Sequence, residues 1–478
     1  MGRSLLRAGK NVVSLVGAHF ANRLLHLFVI GLLGHRLGTN GLGGFAIASA
    51  VSALFIFGTD LGLSAWLVRE ATARPTVLPK KYAEVFGVKL ALIVVALLLL
   101  AVLCWLLPYQ RWVLQLAALM AIAAMIESVC AVNNAVVQAH ERMEYEALGA
   151  TVQAVLFAGL AAVVLVRDMS PVWIGVAAIA GAVGEFAVSM HAASRFLPVG
   201  VAWPPRWTRL GTSAPYAVTS LHAVVLVQLD VLVFSAVATQ SSVGEYGAVA
   251  RLLHGLAFLP ALAATAALPT VTSAWTRRSG AEVEALAVHV LRLCMVTGGA
   301  AVVLVWATAG PIMRTVYGDQ FGALSSLLQL GMMFVLLRCF GFGLATLLTA
   351  AGRQRARAWA WGIGLTVTAA LIIPLAPELG TRGALLALIV GEIVACGMLG
   401  MSSHTLVSAR SQVTVLGGVM IALAGAAVVQ ELVNREGLAR YALLWAPLTY
   451  PLLLLLVGEF GRVRRAVRVL AGQTPIRP

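Results

Sequence analysis

The chain has 478 residues, of which 60% are apolar and only 11% charged. Globular proteins run at about 45–50% apolar and about 25% charged, and 19 acidic side chains cannot solvate several soluble domains, so that class is excluded. The formal net charge of +15 does not point to nucleic acid either, because the 34 Lys and Arg lie mostly in short segments between apolar runs and form no basic motif on a soluble domain.

Those apolar runs are 17–30 residues long, enough to cross about 30 Å of hydrocarbon at about 1.5 Å per residue. The pattern is that of an all-α membrane protein. In chain order the sequence predicts fourteen spans: Asn11–Gly34, Gly41–Leu67, Tyr82–Leu107, Trp112–Ala139, Ala147–Val166, Val172–Phe196, Gly211–Val237, Val243–Thr272, Val283–Thr308, Gly322–Ala351, Ala358–Ala376, Gly383–Leu406, Val413–Val429 and Tyr441–Phe460. The eleven Trp fall in loops or toward span ends, as interfacial belts do. A β-barrel would show alternating segments of about 10 residues instead. The first run is no cleavable signal, since His19, Asn22, Arg23 and His26 interrupt it. Cys104, Cys130, Cys294, Cys339 and Cys396 all lie in apolar segments, so no disulfide framework is readable.

Orientation follows from the basic residues. With an inside N-terminus, 22 of them fall on the cytoplasmic side and seven on the other: Arg36, Arg111, Arg167, Arg314, Arg382, Arg435 and Arg440. The positive-inside bias therefore places both termini in the cytoplasm. The basic tail with Arg462, Arg464, Arg465 and Arg468 reads as an anchor on anionic lipid.

Two internal matches divide the chain. Val183-Gly184-Glu185 recurs as Val390-Gly391-Glu392, and Leu42-Gly43-Gly44-Phe45 resembles Val243-Gly244-Glu245-Tyr246, at offsets of 207 and 201. Parallel six-helix repeats account for this. The expected organisation is a lobe over 1–196, a linker over 197–210 with Pro198, Pro204 and Pro205 as a hinge, a second lobe over 211–406, and two extra helices with a tail over 407–478. No loop between spans exceeds 14 residues, which leaves no room for a catalytic domain.

Ionisable groups deep in the membrane cost about 2.5–3.5 kcal/mol each on insertion scales and face a cavity or a partner. Lys89 and Arg292 lie near cytoplasmic ends and are expected to snorkel out. Arg23 lies mid-span with His19, Asn22 and His26 on one polar stripe. It reads either as the cationic wall of a cavity for an anionic headgroup or as the partner of Asp60 or Glu127. Arg251, with His254 nearly on its face, and Arg338 are the other candidate anion-binding cations. Among the acids, Glu185 and Glu392 are repeat-equivalent and read as packing or hydrogen-bonding groups, whereas Glu127, on a face with Cys130, Asn134 and Gln138, reads as bordering a hydrated path. Asp230 follows Gln228 and reads as an arginine partner or a cation carrier. No HxxxH or HExxH pair links His19, His26, His222 and His254, so no metal is expected. No phosphate loop, nucleophile elbow or CxxC pair occurs. An enzyme is not expected, nor a cofactor.

In these residues the chain resembles the bacterial oligosaccharide flippases of polysaccharide biosynthesis, within the multidrug/oligosaccharidyl-lipid/polysaccharide exporter superfamily. The resemblance is carried by Arg36-Leu37-Gly38-Thr39-Asn40-Gly41-Leu42-Gly43, Asp60-Leu61-Gly62-Leu63, Gln228-Leu229-Asp230, Val243-Gly244-Glu245-Tyr246 and Leu268-Pro269. Tyr317-Gly318, Ala350-Ala351-Gly352 and Gly380-Thr381-Arg382-Gly383-Ala384 complete it. It implies two six-helix lobes around a cavity lined by spans 1, 2, 7 and 8, with alternating access and arginines at the positions of Arg23 and Arg251. It implies an oligosaccharide on undecaprenyl pyrophosphate as substrate, in the bacterial inner membrane. The pyrophosphate suits the planar donors of Arg. The other partners expected are membrane lipid, the polymerase and further polysaccharide-assembly proteins. The rivals are a lipid II flippase, a cation-coupled drug exporter and, from another class, a membrane polymerase or glycosyltransferase.

Overall fold

The structure, a computed structural model, describes residues 2–225, 228–257, 267–268, 270–276, 280–435, 449–455 and 462. Side chains are described from residue 21 onward within that set, apart from 75, 218–225, 280–282 and 431–435. Among the described residues every regular element is helical, and ten helices are long and apolar enough to cross a membrane. The protein is a multi-pass membrane protein.

In chain order the helices are α1 (Gly2–Asp60), α2 (Leu63–Ala73), α3 (Leu78–Leu106), α4 (Arg111–Ala139), α5 (Glu144–Val166), α6 (Trp173–Ser194), α7 (Thr208–Val225), α8 (Leu229–Val237), α9 (Gln240–Leu256), α10 (Gly280–Tyr317), α11 (Ser325–Ala350), α12 (Gln354–Leu379), α13 (Thr381–Ser402) and α14 (Ala409–Arg435). Predicted spans 3–6 and 9–13 each fall on one helix. Span 7 falls on α7 and α8, and the start of span 8 on α9. Of span 14 only residues 449–455 are described, and they are helical.

The predicted loop between spans 1 and 2 is replaced by a kink. α1 runs on through Arg36–Asn40, and its single non-helical residue is Gly38 (φ 65°, ψ −164°). A side chain there would clash with its own backbone, so the bend needs glycine. α1 then ends at Asp60, short of the predicted Leu67, and α2 resumes after Leu61-Gly62.

The chain divides into two compact units, Met1–Gly244 and Glu245–Pro478. In the first, α1 packs on α4 and α5, and α4 and α5 both pack on α6. Its core joins α2, α3, α4 and α6 through Leu63, Leu67, Tyr82, Val85, Val132, Val136 and Ala193. In the second, α10 packs on α11 and α14, and α12 pairs with α13. The α12–α13 contact runs through Gly364, Thr368, Gly391 and Ala395, the small residues that let membrane helices approach. Val303, Ala422, Ala426, Tyr450 and Leu454 form a smaller cluster where α10 meets α14 and residues 449–455.

Trp105, Trp173 and Trp203 are exposed, whereas Trp66 and Trp361 are buried. Lys81 and Arg209 lie over Trp66, and Arg338 over Trp361, as cation–π attraction favours.

The stretch 197–210 is held against the first unit. Its Arg209 reaches Glu84 of α3 at 2.6 Å and Arg206 reaches the same carboxylate at 3.1 Å, with Lys81 at 3.7 Å. The Ala202 amide donates to the Ala83 carbonyl at 3.0 Å. Beyond it, Ser213 donates to the Leu61 carbonyl and Arg69 to the Tyr216 hydroxyl. Three prolines stiffen this segment, and a buried carboxylate ringed by three cations fastens it to the first unit. Glu84 is only 2% exposed, so replacing it with Ala strands cations beside a dry site. Hydrogen bonds to charged groups contribute about 1.5–3 kcal/mol; Glu84→Ala is expected to lose that much stability in thermal unfolding of the detergent-solubilised protein, and an unchanged melting temperature would exclude the strap.

Candidate functional site

Each unit holds a buried ion pair inside its membrane helices. In the first, Lys89 is 1% exposed and its Nζ lies 2.7 Å from Asp60 Oδ1. It also donates to Ser64 Oγ at 3.2 Å and to the Ser128 carbonyl, while Ser64 donates to Asp60 at 2.5 Å. The expectation that Lys89 snorkels to the surface is therefore corrected: its ammonium turns inward because a carboxylate, a hydroxyl and a carbonyl together replace its hydration shell. Arg292, expected to do likewise, is buried as well.

Asp60 is engaged by Lys89, and Glu127 accepts from Gln153 Nε2 at 2.7 Å. The predicted stripe on α1 is divided. Asn22 is buried, His26 stacks on Phe157 of α5 at 5.3 Å, and Arg23 is exposed. The side chains of His19 and His222 lie outside the described residues.

The polar side chains of α4 have protein partners. Glu127, Asn134 and Gln138 recur at helical spacing. They meet Gln153 of α5, Glu185 of α6 at 3.5 Å and Glu146 of α5 at 2.9 Å. One residue over, Asn133 accepts from Tyr82 at 2.7 Å and donates to Ser189 at 3.2 Å. Two membrane carboxylates, Glu127 and Glu185, thus face amide donors rather than cations.

In the second unit Arg338 lies 3.2 Å from Glu392, which is 4% exposed. Its guanidinium also covers Phe334 at 4.8 Å and Trp361 at 4.3 Å. This places Arg338 in a packed ion pair, and Glu392 with it. The repeat-equivalent acids Glu185 and Glu392 each reach from their own helix to another in the same unit, one to Asn134 and the other to Arg338. On α9, His254 meets the edge of Phe334 at 5.4 Å. Tyr317 donates to the Ala248 carbonyl at 2.9 Å, one turn before Arg251. Asp230 is buried in the first turn of α8 and accepts from the Val231 amide at 2.8 Å, where the helix dipole favours a negative charge.

Among the described residues no three His, Cys, Asp or Glu side chains converge as a metal site needs, and all five cysteines are free. A cavity of about 650 Å³ lies between α11, α13 and α14, lined by Leu337, Phe340, Cys396, Met401, Gln412 and Leu416 among others. It is apolar, and none of the candidate ionisable residues lines it.

Helical bundle, embedded charge and repeat now stand together, and comparison with known proteins decides the family. The profile of the family described as polysaccharide biosynthesis protein matches residues 8–275, more than half of the chain. The chain belongs to that family. Stage V sporulation protein B of Bacillus subtilis (strain 168) is 28% identical over 169 residues, which cover 34% of this chain and 32% of that relative. In fold, this family member is similar to the lipid II flippase MurJ in an inward closed conformation, with a TM-score of 0.73 and 14% identity over 95% of this chain and 99% of that one. It is also similar to an inward-facing multidrug resistance MATE family transporter of the MOP superfamily, at TM-score 0.65 and 15% identity, covering 81% and 95%. These relatives by fold are transporters and flippases, and the family member shares their architecture.

Lys89 is the site residue that its sequence position misassigns. A signal was present: Asp60 lies seven residues before the end of predicted span 2, and Lys89 seven residues after the start of span 3, so adjacent antiparallel spans hold them at equal depth. Breaking a buried pair by removing one partner costs about 3–5 kcal/mol, whereas an apolar replacement of both is often neutral. Lys89→Met is thus expected to lower the thermal stability strongly, and Lys89→Met with Asp60→Leu to recover most of it. Equal melting temperatures for single and double variants would exclude a coupled pair.

Proposed function

We propose that this protein flips a polyprenyl-pyrophosphate-linked oligosaccharide from the cytoplasmic to the outer leaflet of the bacterial inner membrane, supplying polysaccharide assembly. The observation that carries the reading is Arg23, an exposed guanidinium on a membrane-spanning helix of a polysaccharide biosynthesis protein. Lipid cannot be the neighbour of such a charge. A water-filled cavity that receives an anionic headgroup can. Arg23 on α1 and Arg251 on α9 hold the pyrophosphate, Asn22, His26 and His254 border it, and the polyprenyl tail stays in lipid. Arg338 is assigned to packing through Glu392. The lobes are the two six-helix repeats, rocking in alternating access, with both termini in the cytoplasm and fourteen spans in all. Glu127 is the carboxylate best suited to couple transport to a cation, since its neighbour is an amide.

The fold likeness to the lipid II flippase favours one second reading, with lipid II as cargo. Flipping assays in vesicles with each lipid in turn separate the two. Arg23→Ala and Arg251→Ala are each expected to weaken headgroup binding by about tenfold to a hundredfold, from charge-assisted hydrogen bonds of about 1.5–3 kcal/mol. Lysine is expected to rescue only in part, having lost the planar fork. Normal binding and flipping in both alanine variants would exclude the clamp. For topology, reporters fused after Arg36 and Arg314 are expected to read outside and those after Arg74 and Arg355 inside; the reverse pattern would invert the direction of transport.

A further inference from the structure

The non-helical stretch between α6 and α7 dips beside the start of α3. The Ala202 amide donates to the Ala83 carbonyl at 3.0 Å, and a Cβ on Gly87 would overlap the Ala202 carbonyl oxygen. Ala202 therefore lies against α3 between residues 83 and 87. Predicted span 3 begins at Tyr82, so at about 1.5 Å per residue the contact reaches up to about 7.5 Å into that span. Segments that lie in the membrane plane bury about 5–10 Å into the boundary between headgroups and acyl chains. The residues suit that depth. Pro198, Pro204 and Pro205 carry no amide hydrogen in need of a partner near lipid.

The side chains of this stretch are of two kinds. Val199, Val201 and Trp203 are exposed at alternate positions, Trp203 to 72%, and Trp207 is half exposed. Apolar and indole groups at headgroup depth are the composition of a lipid contact. Beside them stands a cationic rim. Lys81, Arg206 and Arg209 share the buried Glu84, three cations for one carboxylate, so the group as a whole stays positive. Arg206 remains more than half exposed, and Lys80 is exposed as well. An anionic phospholipid fits both kinds at once: its phosphate accepts from Arg and Lys, and its acyl chains cover the valines and the indole.

We propose that residues 199–207 are a docking site for anionic phospholipid, with the phosphate on Arg206 and Lys80 and the acyl chains against Val199, Val201 and Trp203. Under the proposed topology the site meets the cytoplasmic leaflet, and it does not depend on the cargo of transport.

The test uses the full chain with its five cysteines replaced by Ala and Trp203→Cys carrying an environment-sensitive fluorophore. The protein is placed in vesicles of phosphatidylcholine and phosphatidylglycerol in a three-to-one ratio. Phosphatidylglycerol with a nitroxide near the glycerol end of its acyl chain is expected to quench the fluorophore about threefold more than phosphatidylcholine labelled at the same carbon. Lys80→Gln with Arg206→Gln is expected to remove that preference. Should this variant fail to fold, about 1 M salt, which shortens the screening length to about 3 Å, is expected to remove it in the parent instead. Equal quenching by the two lipids would overturn the site, as would a preference that survives the substitutions or, in their place, the salt. Stronger quenching by aqueous iodide than by either lipid would put the stretch in water, and quenching by none of them would mean that protein covers it; each outcome overturns the site. No transport enters this measurement, so a parent that moves no lipid-linked oligosaccharide overturns the flippase reading and leaves the lipid site standing.

Discussion

A charge placed in hydrocarbon must be met by an opposite charge, by polar groups or by water, and this requirement organises both units. The ammonium of Lys89 has replaced water with Asp60, Ser64 and a main-chain carbonyl. The guanidinium of Arg338 has replaced it with Glu392 and two aromatic faces. Both sites fasten one helix to another within a unit. Desolvation makes each pair a modest source of net stability but a stringent one, because only one arrangement of helices satisfies it. Arg23 is exposed on α1, and it is the group that the proposal places against the substrate.

The two repeats answer the requirement unequally. Their shared acid on the sixth helix meets Asn134 in the first unit and Arg338 in the second. The acid thus meets a neutral amide in one unit and a guanidinium in the other. Glu127 with Gln153 repeats the amide arrangement on α4.

Rigidity is distributed in the same spirit. The segment between the repeats is rich in proline and lies strapped to α3 through Glu84. Glycine serves close packing elsewhere: Gly38 makes the kink in α1, and Gly43, Gly244, Gly364 and Gly391 lie where backbones approach closely.

Much of this was legible in the residues. Runs of apolar residues determined the membrane class and the helices, since only a helix satisfies its backbone in lipid, and spans 3–6 and 9–13 fall where hydropathy puts them. The repeat and its paired Glu185 and Glu392 were visible too, as was the family likeness. Partnership was not. Nothing local distinguishes Lys89 that snorkels from Lys89 that turns inward, because the difference is made by Asp60 on another helix. The same holds for Trp66 beneath Arg209, Glu84 beneath the linker and Arg338 beside Glu392. Hydropathy depends on each residue's own transfer energy, so one sequence determines which segments enter the membrane. Which charges meet there depends on the separation of side chains brought together from distant segments, and only the tertiary structure decides that.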